Sequence, residues 1–277
     1  MKDLNILTVD LEDWFHICGV EDLLPEESWG RLESRVEKNT RVILSILDRH
    51  GVKATFFVLG FVAEGHPELI RDIARRGHEI ATHGYAHRRV YEMSPKAFRE
   101  DLRKARAIIE EITGARILGY RAPEWSIRDD SIWAPGILEE EGFLYDSSMA
   151  PLPIIGNKAY PRVPHRAPGG AGVLWEFPPL VAPAPLTPLP LGGGWGLRVF
   201  PYRVIRHAVT ALNRAGHPAL FYVHPREFDR RNPKVSLPLS RRFVLNARVA
   251  RTGQRLCRLL EDFRFTTVAR YLESSIA

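Results

Sequence analysis

Residues 8–16 read TVDLEDWFH and continue the apolar run LNILTV, residues 4–9. Three acids, Asp10, Glu12 and Asp13, fall within four positions at the end of what reads as a short β-strand. Burying one unpaired carboxylate is costly, and crowding several of them raises their pKa values. The acids therefore either stand in a solvated loop or surround something positively charged.

Strand-like and helix-like segments alternate along most of the chain. After NILTVD come the strand-like runs KATFFVLG, HEIATHG, ARILGYRAP, FLYDSS, VLWEFP, PALFYVH and RFTTV. This alternation predicts a parallel sheet with right-handed crossovers, either closed as a barrel or open and doubly wound. A barrel brings the carboxyl ends of all strands to one rim. The polar residues at strand ends favour the barrel: Asp10, His83, Arg121, Asp146 and His224.

Three helices have clear sequence signals. Residues 94–114 begin with Ser-Pro and stop at Gly114, and NTRVILSILDRHG stops at Gly51. Residues 240–263, SRRFVLNARVARTGQRLCRLLEDF, read as one Arg-rich helix. We therefore predict an α/β fold of an irregular (β/α)7-type barrel.

One segment does not fit the alternation. Residues 149–201 carry about a dozen prolines and many glycines, which is typical of a linker between domains. The segment also holds Trp175, Phe177, Trp195 and Phe200, which a flexible linker does not need. We interpret it as a long ordered loop over the site. Residues 1–277 are then a single catalytic domain.

Composition limits the classes of protein. The chain has 277 residues, a formal net charge of +6 and only two cysteines, Cys18 and Cys257. The cysteines exclude a disulfide scaffold and suit a reducing compartment. No signal-peptide pattern and no apolar stretch long enough to span a membrane is seen, so the expected location is cytoplasmic. The Arg excess near the C-terminus leaves open peripheral attachment at the inner membrane face, and no motif indicates a nucleic-acid partner.

The segment HEIATHGYAH contains the pair His83 and His87. On a helical turn, residues four apart face one way. Two histidines and one carboxylate are a common ligand set for Zn²⁺ or a similar divalent ion. The sequence therefore predicts a metal site, with the acid supplied from the first strand.

Further segments supply polar groups at strand ends. Arg121, in GYRAPEW, could pair with a carboxylate, and Asp146 lies in YDSS. His224 ends the apolar strand of LFYVHPREFD and is followed by Pro225. Each signal is weak alone, but their order along the chain makes coincidence a poor explanation.

Together these motifs resemble the polysaccharide deacetylases of the NodB-homology type, carbohydrate esterase family 4. The resemblance runs from residue 7 to about residue 229. TVDLEDWFH, WEFPP, GGGWG and FYVHPREFD further resemble a subgroup associated with exosortase and PEP-CTERM protein sorting. The family's fold is TIM-like.

The resemblance implies a role for each matching residue. Asp10 matches the general base, His83 and His87 the metal ligands, Arg121 the residue that orients the base, and His224 the general acid, with Asp146 as its partner. The acidic ligand is either Glu12 or Asp13, because the family's two adjacent Asp are Asp-Leu-Glu-Asp here. The family's Arg-Pro-Pro-x-Gly is Arg-Ala-Pro-Glu-Trp here, so the oxyanion site differs in detail.

The expected function is a metal-dependent hydrolase with Zn²⁺, or Co²⁺, Ni²⁺ or Mn²⁺, in its site. Its expected partner is an N-acetylated glycan, an amino-sugar polysaccharide or its lipid-linked precursor in exopolysaccharide biosynthesis. The tryptophans Trp14, Trp125, Trp175 and Trp195 would offer flat faces to sugar rings. Two alternatives remain open: an allantoinase-like hydrolase of cyclic amides, and a non-catalytic glycan-binding protein.

Overall fold

The fold is organised around the strand formed by LNILTVDL. The computed structural model describes residues 3–20, 22–233 and 235–276. The strands are β1 (Leu4–Leu11), β2 (Thr55–Val58), β3 (Glu79–Thr82), β4 (Gly119–Tyr120), β5 (Tyr145–Asp146), β6 (His165–Arg166), β7 (Trp175–Glu176), β8 (Val181–Ala182), β9 (Leu189–Pro190), β10 (Leu220–Val223) and β11 (Arg264–Thr266). The helices are α1 (Val36–His50), α2 (Gly60–Gly65), α3 (Pro67–Arg75), α4 (Pro95–Thr113), α5 (Ala134–Glu140), α6 (Gly194–Val199), α7 (Tyr202–Arg214), α8 (Leu239–Asn246), α9 (Thr252–Asp262) and α10 (Val268–Ile276).

β1 lies inside a curled, mainly parallel sheet. In the described part of the chain the strand order is β10-β1-β2-β3-β4-β5-β7-β6, and β11 also pairs with β1. Residues 6–9 pair with residues 220–223, and residues 8–11 pair with residues 55–58. Only β6 runs antiparallel along this path. After its first residue β1 is buried throughout, as expected for a strand covered on both faces. The predicted barrel class is confirmed in this curled parallel sheet.

The helices begin and end largely where the sequence indicates. Ser94 caps α4 by accepting a hydrogen bond from the backbone N–H of Ala97, and Gly114 ends it with a φ of 66°. Gly51 ends α1 with a φ of 63°. Both glycines take the left-handed conformation that other residues adopt at a cost. No helix within the described residues is long and apolar enough to cross a membrane.

The Pro- and Gly-rich segment is built into the sheet. It supplies β6 to β9 and α6, and Leu174, Leu191 and Leu197 are buried in the main core. Beyond β7, the N–H of Leu180 donates to the carbonyl of Leu220, which lies in β10 on the opposite edge. The segment therefore bridges the two edges of the curled sheet.

The single helix predicted over residues 240–263 is wrong, because the chain breaks between α8 and α9. Arg198 donates from Nη2 to the carbonyl of Val244 and from Nε to that of Ala247. In a continuous helix the first of these carbonyls would accept from the N–H four residues later. Arg248 instead takes a φ of 54°, and the helix restarts at Thr252.

Candidate active site

A cavity of about 650 Å³ opens where the parallel strands end. Its lining includes Asp10 near the end of β1, Glu12 just after β1, His87 after β3, Trp125 after β4 and His224 after β10. Carboxyl ends of parallel strands share one edge of a sheet, so these side chains converge from distant positions in sequence. Asp10 and Glu12 are each only 3 % exposed and Asp13 only 2 %, so the solvated-loop reading of the three acids is wrong.

Glu12, His83 and His87 form one group. Each offers a ligand atom, and these atoms all lie within 4.8 Å of one another. The Oε1 atom of Glu12 is 3.4 Å from Nε2 of His83 and 3.2 Å from Nε2 of His87. This is the two-histidine, one-carboxylate set that the sequence predicts.

The two imidazoles meet in a loop, so the expected helical turn is wrong. β3 ends at Thr82, and residues 83–88 form no helix. Gly84 and His87 have φ values of 76° and 52°. A positive φ at a residue other than glycine is costly and is typical of functional sites. The turn through these two residues brings the second imidazole back toward the first.

Hydrogen bonds at the far side of each ring fix the direction of the free nitrogens. Nδ1 of His83 lies 2.7 Å from the carbonyl oxygen of Arg121, so Nδ1 is the donor. Nδ1 of His87 lies 3.3 Å from Sγ of Cys18, whose thiol donates to the carbonyl of His87. Nε2 of His83 is buried and makes no hydrogen bond among the described residues. Histidines that bind metals are usually oriented in this way.

The electrostatics of the group favour a positive charge. Burial acts to raise the pKa of Glu12, but the surrounding histidines, His87 first, outweigh it and lower the pKa well below its ordinary value. Burial acts to lower the pKa of His87, yet Cys18 and Glu12 raise it well above the usual range. A divalent cation would supply the same positive charge through oxygen and nitrogen ligands. The donor set and the bare Nε2 of His83 therefore fit a cation.

Asp13 does not join this group. Its carboxylate turns to the start of α1, where it accepts from the backbone N–H groups of Arg35 and Val36 and from Oγ of Ser34. It also accepts from the N–H of Trp14. Carboxylates at this position satisfy helix N–H groups that would otherwise lack partners. Of the two acids left open by the sequence, Glu12 is the one that faces the histidines.

Asp10 pairs with a buried arginine. Nη1 of Arg121 donates to Oδ1 of Asp10 at 2.6 Å and lies 2.7 Å from Oγ1 of Thr8. Its Nε and Nη2 donate to the carbonyl and hydroxyl of Ser147, and its guanidinium lies 4.1 Å from the ring centre of Phe57. Arg121 is fully buried, so these contacts hold it in one orientation. The Asp10 carboxylate is fixed with it.

His224 faces the same space from the end of β10, the strand that pairs with β1. Its Nε2 is 3.7 Å from Oδ2 of Asp10 and 3.6 Å from Oε1 of Glu12. On the other side of the ring, Nδ1 lies 3.6 Å from Glu227, which also accepts from the backbone N–H of His224. Burial acts to lower the pKa of His224, but Glu12 and Glu227 raise it above its ordinary value. His224 is thus poised to carry a proton.

Asp146 is not the partner of His224. In the described structure no ion pair joins the two, and the partner is Glu227, which is held by Arg198 at 2.5 Å. Asp146 is the last residue of β5 and accepts from the hydroxyl of Ser148 and the N–H of Ser147, the two residues that follow it. Its predicted catalytic position is therefore corrected to a structural one behind Arg121.

A second acid lies beside Asp146. Glu176 is fully buried and accepts from the backbone N–H groups of Ser148 and Met149. Burial raises the pKa of Glu176 well above its ordinary value, and the charge of Asp146 adds to the rise. Burial also raises the pKa of Asp146, to about 6. The raised pKa of Glu176 favours its protonated form, in which it donates a hydrogen bond to Asp146.

We expect Glu176→Gln to become more stable than the wild type as pH rises. The folded wild type holds the Glu176 proton above the ordinary carboxyl pKa, so its free energy of unfolding falls as pH increases through that range. Glutamine keeps the donor and acceptor but does not titrate. Urea unfolding should give similar stabilities near pH 4 and a gain of roughly 1–3 kcal/mol for the variant near pH 8. A difference that does not change with pH would contradict the raised pKa of Glu176.

The four tryptophans named as candidate sugar contacts divide into two pairs. Trp125 and Trp195 line the cavity, and the Arg121 guanidinium lies 4.4 Å from the ring centre of Trp125. Trp14 packs with Phe15 in a separate cluster, and Trp175 lies under Arg166. Only the first pair is placed to meet a substrate in this cavity.

Sequence reasoning missed three residues of the site. Glu227 had a signal, since an acid three residues after a strand-ending His224 can reach back to its backbone N–H. No local sequence signal indicated Cys18 or Arg198. Cys18 contacts His87, 69 residues away, and Arg198 contacts Glu227, 29 residues away. These three residues orient His87 and His224, but they form no sequence motif together.

Two family models and several curated proteins match parts of the chain. Residues 29–135 match the family described as Polysaccharide deacetylase, and residues 147–273 match one described as Domain of unknown function (DUF3473). The chain is 39 % identical over 110 residues to the peptidoglycan deacetylase-like protein FGM2 of Gibberella zeae, covering 39 % of this chain and 32 % of the relative. It is 29 % identical over 136 residues to a peptidoglycan deacetylase of Helicobacter pylori, covering 49 % and 45 %. The chain thus spans less than half the length of these curated relatives.

Solved structures share the fold. A protein of Mycobacterium smegmatis described as a candidate polysaccharide deacetylase superposes with a TM-score of 0.66 at 24 % identity, covering 98 % of this chain and 91 % of that one. The Puue allantoinase superposes with a TM-score of 0.63 at 19 % identity, covering 98 % and 90 %. At these identities the likeness shows the fold alone.

Proposed function

We propose that this chain, whose residues 29–135 match the polysaccharide deacetylase family, is a metal-dependent hydrolase that removes N-acetyl groups from an amino-sugar polysaccharide or its lipid-linked precursor. The observation that carries the proposal is the convergence of Glu12, His83 and His87 with Asp10 and His224 in one cavity. We further propose that residues 1–277 act as one catalytic domain, since both matched regions supply walls of that cavity.

The proposed cation site is Glu12, His83 and His87. When bound, a divalent cation would lower the pKa of a water molecule and polarise the acyl carbonyl. Cys18 and the carbonyl of Arg121 keep the two imidazoles turned toward that position. Zn²⁺ suits this ligand set, and Co²⁺, Ni²⁺ and Mn²⁺ are further candidates.

Asp10 is the proposed general base. Arg121 holds Oδ1 of this carboxylate, so Oδ2 remains to take the proton from water. Positioning of this kind contributes to the rate because little reorganisation is needed during the reaction.

His224 is the proposed general acid. Glu12 and Glu227 raise the pKa of His224, which favours its protonated form, and its ring lines the cavity. As the tetrahedral carbon collapses, Nε2 would give its proton to the leaving nitrogen, which departs as an amine while the acyl group leaves as acetate. Glu227 and Arg198 keep the ring turned inward.

The substrate class is part of the proposal. The relatives that this chain resembles include peptidoglycan deacetylases and a chitooligosaccharide deacetylase of Bradyrhizobium, whose names share an acetylated amino sugar. Trp125 and Trp195 offer ring faces in the cavity wall, and aromatic faces are large apolar surfaces suited to sugar rings. A role in exopolysaccharide biosynthesis is our suggestion for the pathway.

Acetate release tests the proposal. The metal-free protein, reconstituted with Zn²⁺ or Co²⁺, should release acetate from N-acetylated chitooligosaccharides, and chelation should stop it. His224→Gln should lower the rate by about 10²–10⁴-fold. The matched control is His78→Gln, a buried histidine outside the cavity whose Nδ1 accepts from the N–H of Ala54. Ring opening of ureides without acetate release would support the allantoinase-like alternative, and absence of metal uptake would support the non-catalytic one.

A further inference from the structure

The C-terminal quarter of the chain carries a long stretch of one sign of charge. Residues 230–260 contain nine Lys and Arg residues and no Asp or Glu. Some of these arginines crowd one another, since burial and the neighbouring Arg251, Arg258 and Arg248 together lower the pKa of Arg255. Like charges this dense are costly unless an anionic partner is nearby. The stretch therefore indicates a polyanionic surface as its partner.

Helix α8 lies in this stretch and is less buried than α9, which follows it. Within it, no residue is buried, and Leu239, Phe243 and Val244 are 79 %, 55 % and 46 % exposed. Ile154, at 89 % exposed, lines the cavity together with Val244. We call these four residues, with the exposed Arg242, the α8 face. Arg241 is left out because it donates to the backbone carbonyls of Cys18 and Gly19. Large aliphatic and phenyl side chains standing in water beside cations are the pattern of a helix that lies in a membrane interface.

The α8 face borders the mouth of the cavity. Arg241, Val244 and Leu245 of α8 line the cavity, and Phe243 lies 6.3 Å, centre to centre, from the ring of Trp195. Arg198 connects the carbonyls at the end of α8 to Glu227 behind His224. A surface bound to α8 would therefore lie against the opening through which a substrate enters.

We propose that the α8 face docks on an anionic lipid surface, with the apolar side chains entering the interface and Arg242 contacting headgroup charges. A nucleic acid or an acidic polymer would match the arginines of the stretch but leave Leu239, Phe243 and Ile154 in water. A second copy of this chain would bring two sets of like charges together. A lipid surface satisfies both parts of the face. The inference goes beyond the proposed function and does not depend on it.

Vesicle sedimentation tests the docking. The wild-type protein should pellet with vesicles of phosphatidylcholine and phosphatidylglycerol, and at least about tenfold less with phosphatidylcholine alone or at high salt. The double variant Leu239→Ser, Phe243→Ser should lose at least about tenfold in partition, and Arg242→Gln about fivefold. Arg242 does not line the cavity, so Arg242→Gln should turn over a soluble oligosaccharide as the wild type does, which separates this result from any failure of the proposed hydrolase.

Matched controls lie at the opposite end of the sheet. Leu144, 52 % exposed, directly precedes β5, and the exposed Arg49 lies in the last turn of α1. Leu144→Ser and Arg49→Gln should bind vesicles as the wild type does. The proposal is overturned if the wild type stays in the supernatant with anionic vesicles, or if the double serine variant binds them as well as the wild type. Salt-sensitive binding to a DNA oligomer with no vesicle binding, or a dimer that the serine variant dissociates, would also overturn it.

Discussion

Asp10→Asn should lower the rate of acetate release by about 10³-fold without removing the metal. Asparagine keeps the oxygen to which Nη1 of Arg121 donates, but an amide cannot take a proton from water. Asp10 lies outside the proposed cation group of Glu12, His83 and His87, so metal content should stay near that of the wild type. Asp10 also forms a close group with Glu12 and His224, so a loss of metal would place the cation there instead. The measurements are kcat with saturating Zn²⁺ and metal content after dialysis.

The variant also leaves buried Arg121 without its counter-charge, so a lower unfolding temperature is expected. Activity is therefore compared at a temperature where both proteins are folded. Asp229→Asn is the matched control, because Asp229 is a buried acid paired with Arg35 at 2.9 Å and lies outside the cavity. It should keep most of the activity. A residual rate above a tenth of the wild-type rate in Asp10→Asn would contradict the role of Asp10 as the base.

Glu12→Gln should lose affinity for the metal, whereas Asp13→Asn should keep the metal and lose stability. Glu12→Gln removes the carboxylate that lies within ligand distance of both imidazoles, so the affinity for Zn²⁺ should fall by at least about 100-fold, with the activity. Asp13→Asn should keep the metal, but it turns an amide N–H₂ toward backbone N–H groups at the start of α1. Its free energy of unfolding should fall by about 1–3 kcal/mol.

The two adjacent variants serve as controls for each other. Competition with a zinc chelator gives the affinity, and urea unfolding of the metal-free proteins gives the stability. If Asp13→Asn loses the metal while Glu12→Gln retains it, the assignment of the acidic ligand to Glu12 is wrong. If both variants lose the metal, a larger ligand set than the one proposed is required.

The sequence predicts the fold class well because the signal is local and repeated. Alternating apolar runs and amphipathic helices, with caps such as Ser94 and stops such as Gly114, require no knowledge of the distant chain. Strand-end placement likewise brings Asp10, His83 and His224 to one edge, since that follows from the parallel sheet alone. These predictions depend on the backbone more than on side-chain direction.

Side-chain direction past a strand end is what the sequence does not determine. Glu12 and Asp13 are adjacent acids, and the choice between them depends on where α1 begins, more than twenty residues later. Asp146 lies at the end of β5 as Asp10 lies near the end of β1, yet Asp146 contacts Ser148 and Glu176, which comes from another segment. The break after α8 has the same origin, since Arg198 takes carbonyls that the helix would use.

The central position of β1 has a consequence for how the chain is made. One edge of β1 pairs with β2, and the other pairs with β10 and β11, which are synthesised more than two hundred residues later. A nascent chain therefore carries an apolar strand with a free edge until nearly all of these residues have left the ribosome. Shortened forms that lack β10 and β11 would keep that edge exposed and be prone to aggregation, so the metal ligands in the first third of the chain cannot be studied as an isolated fragment.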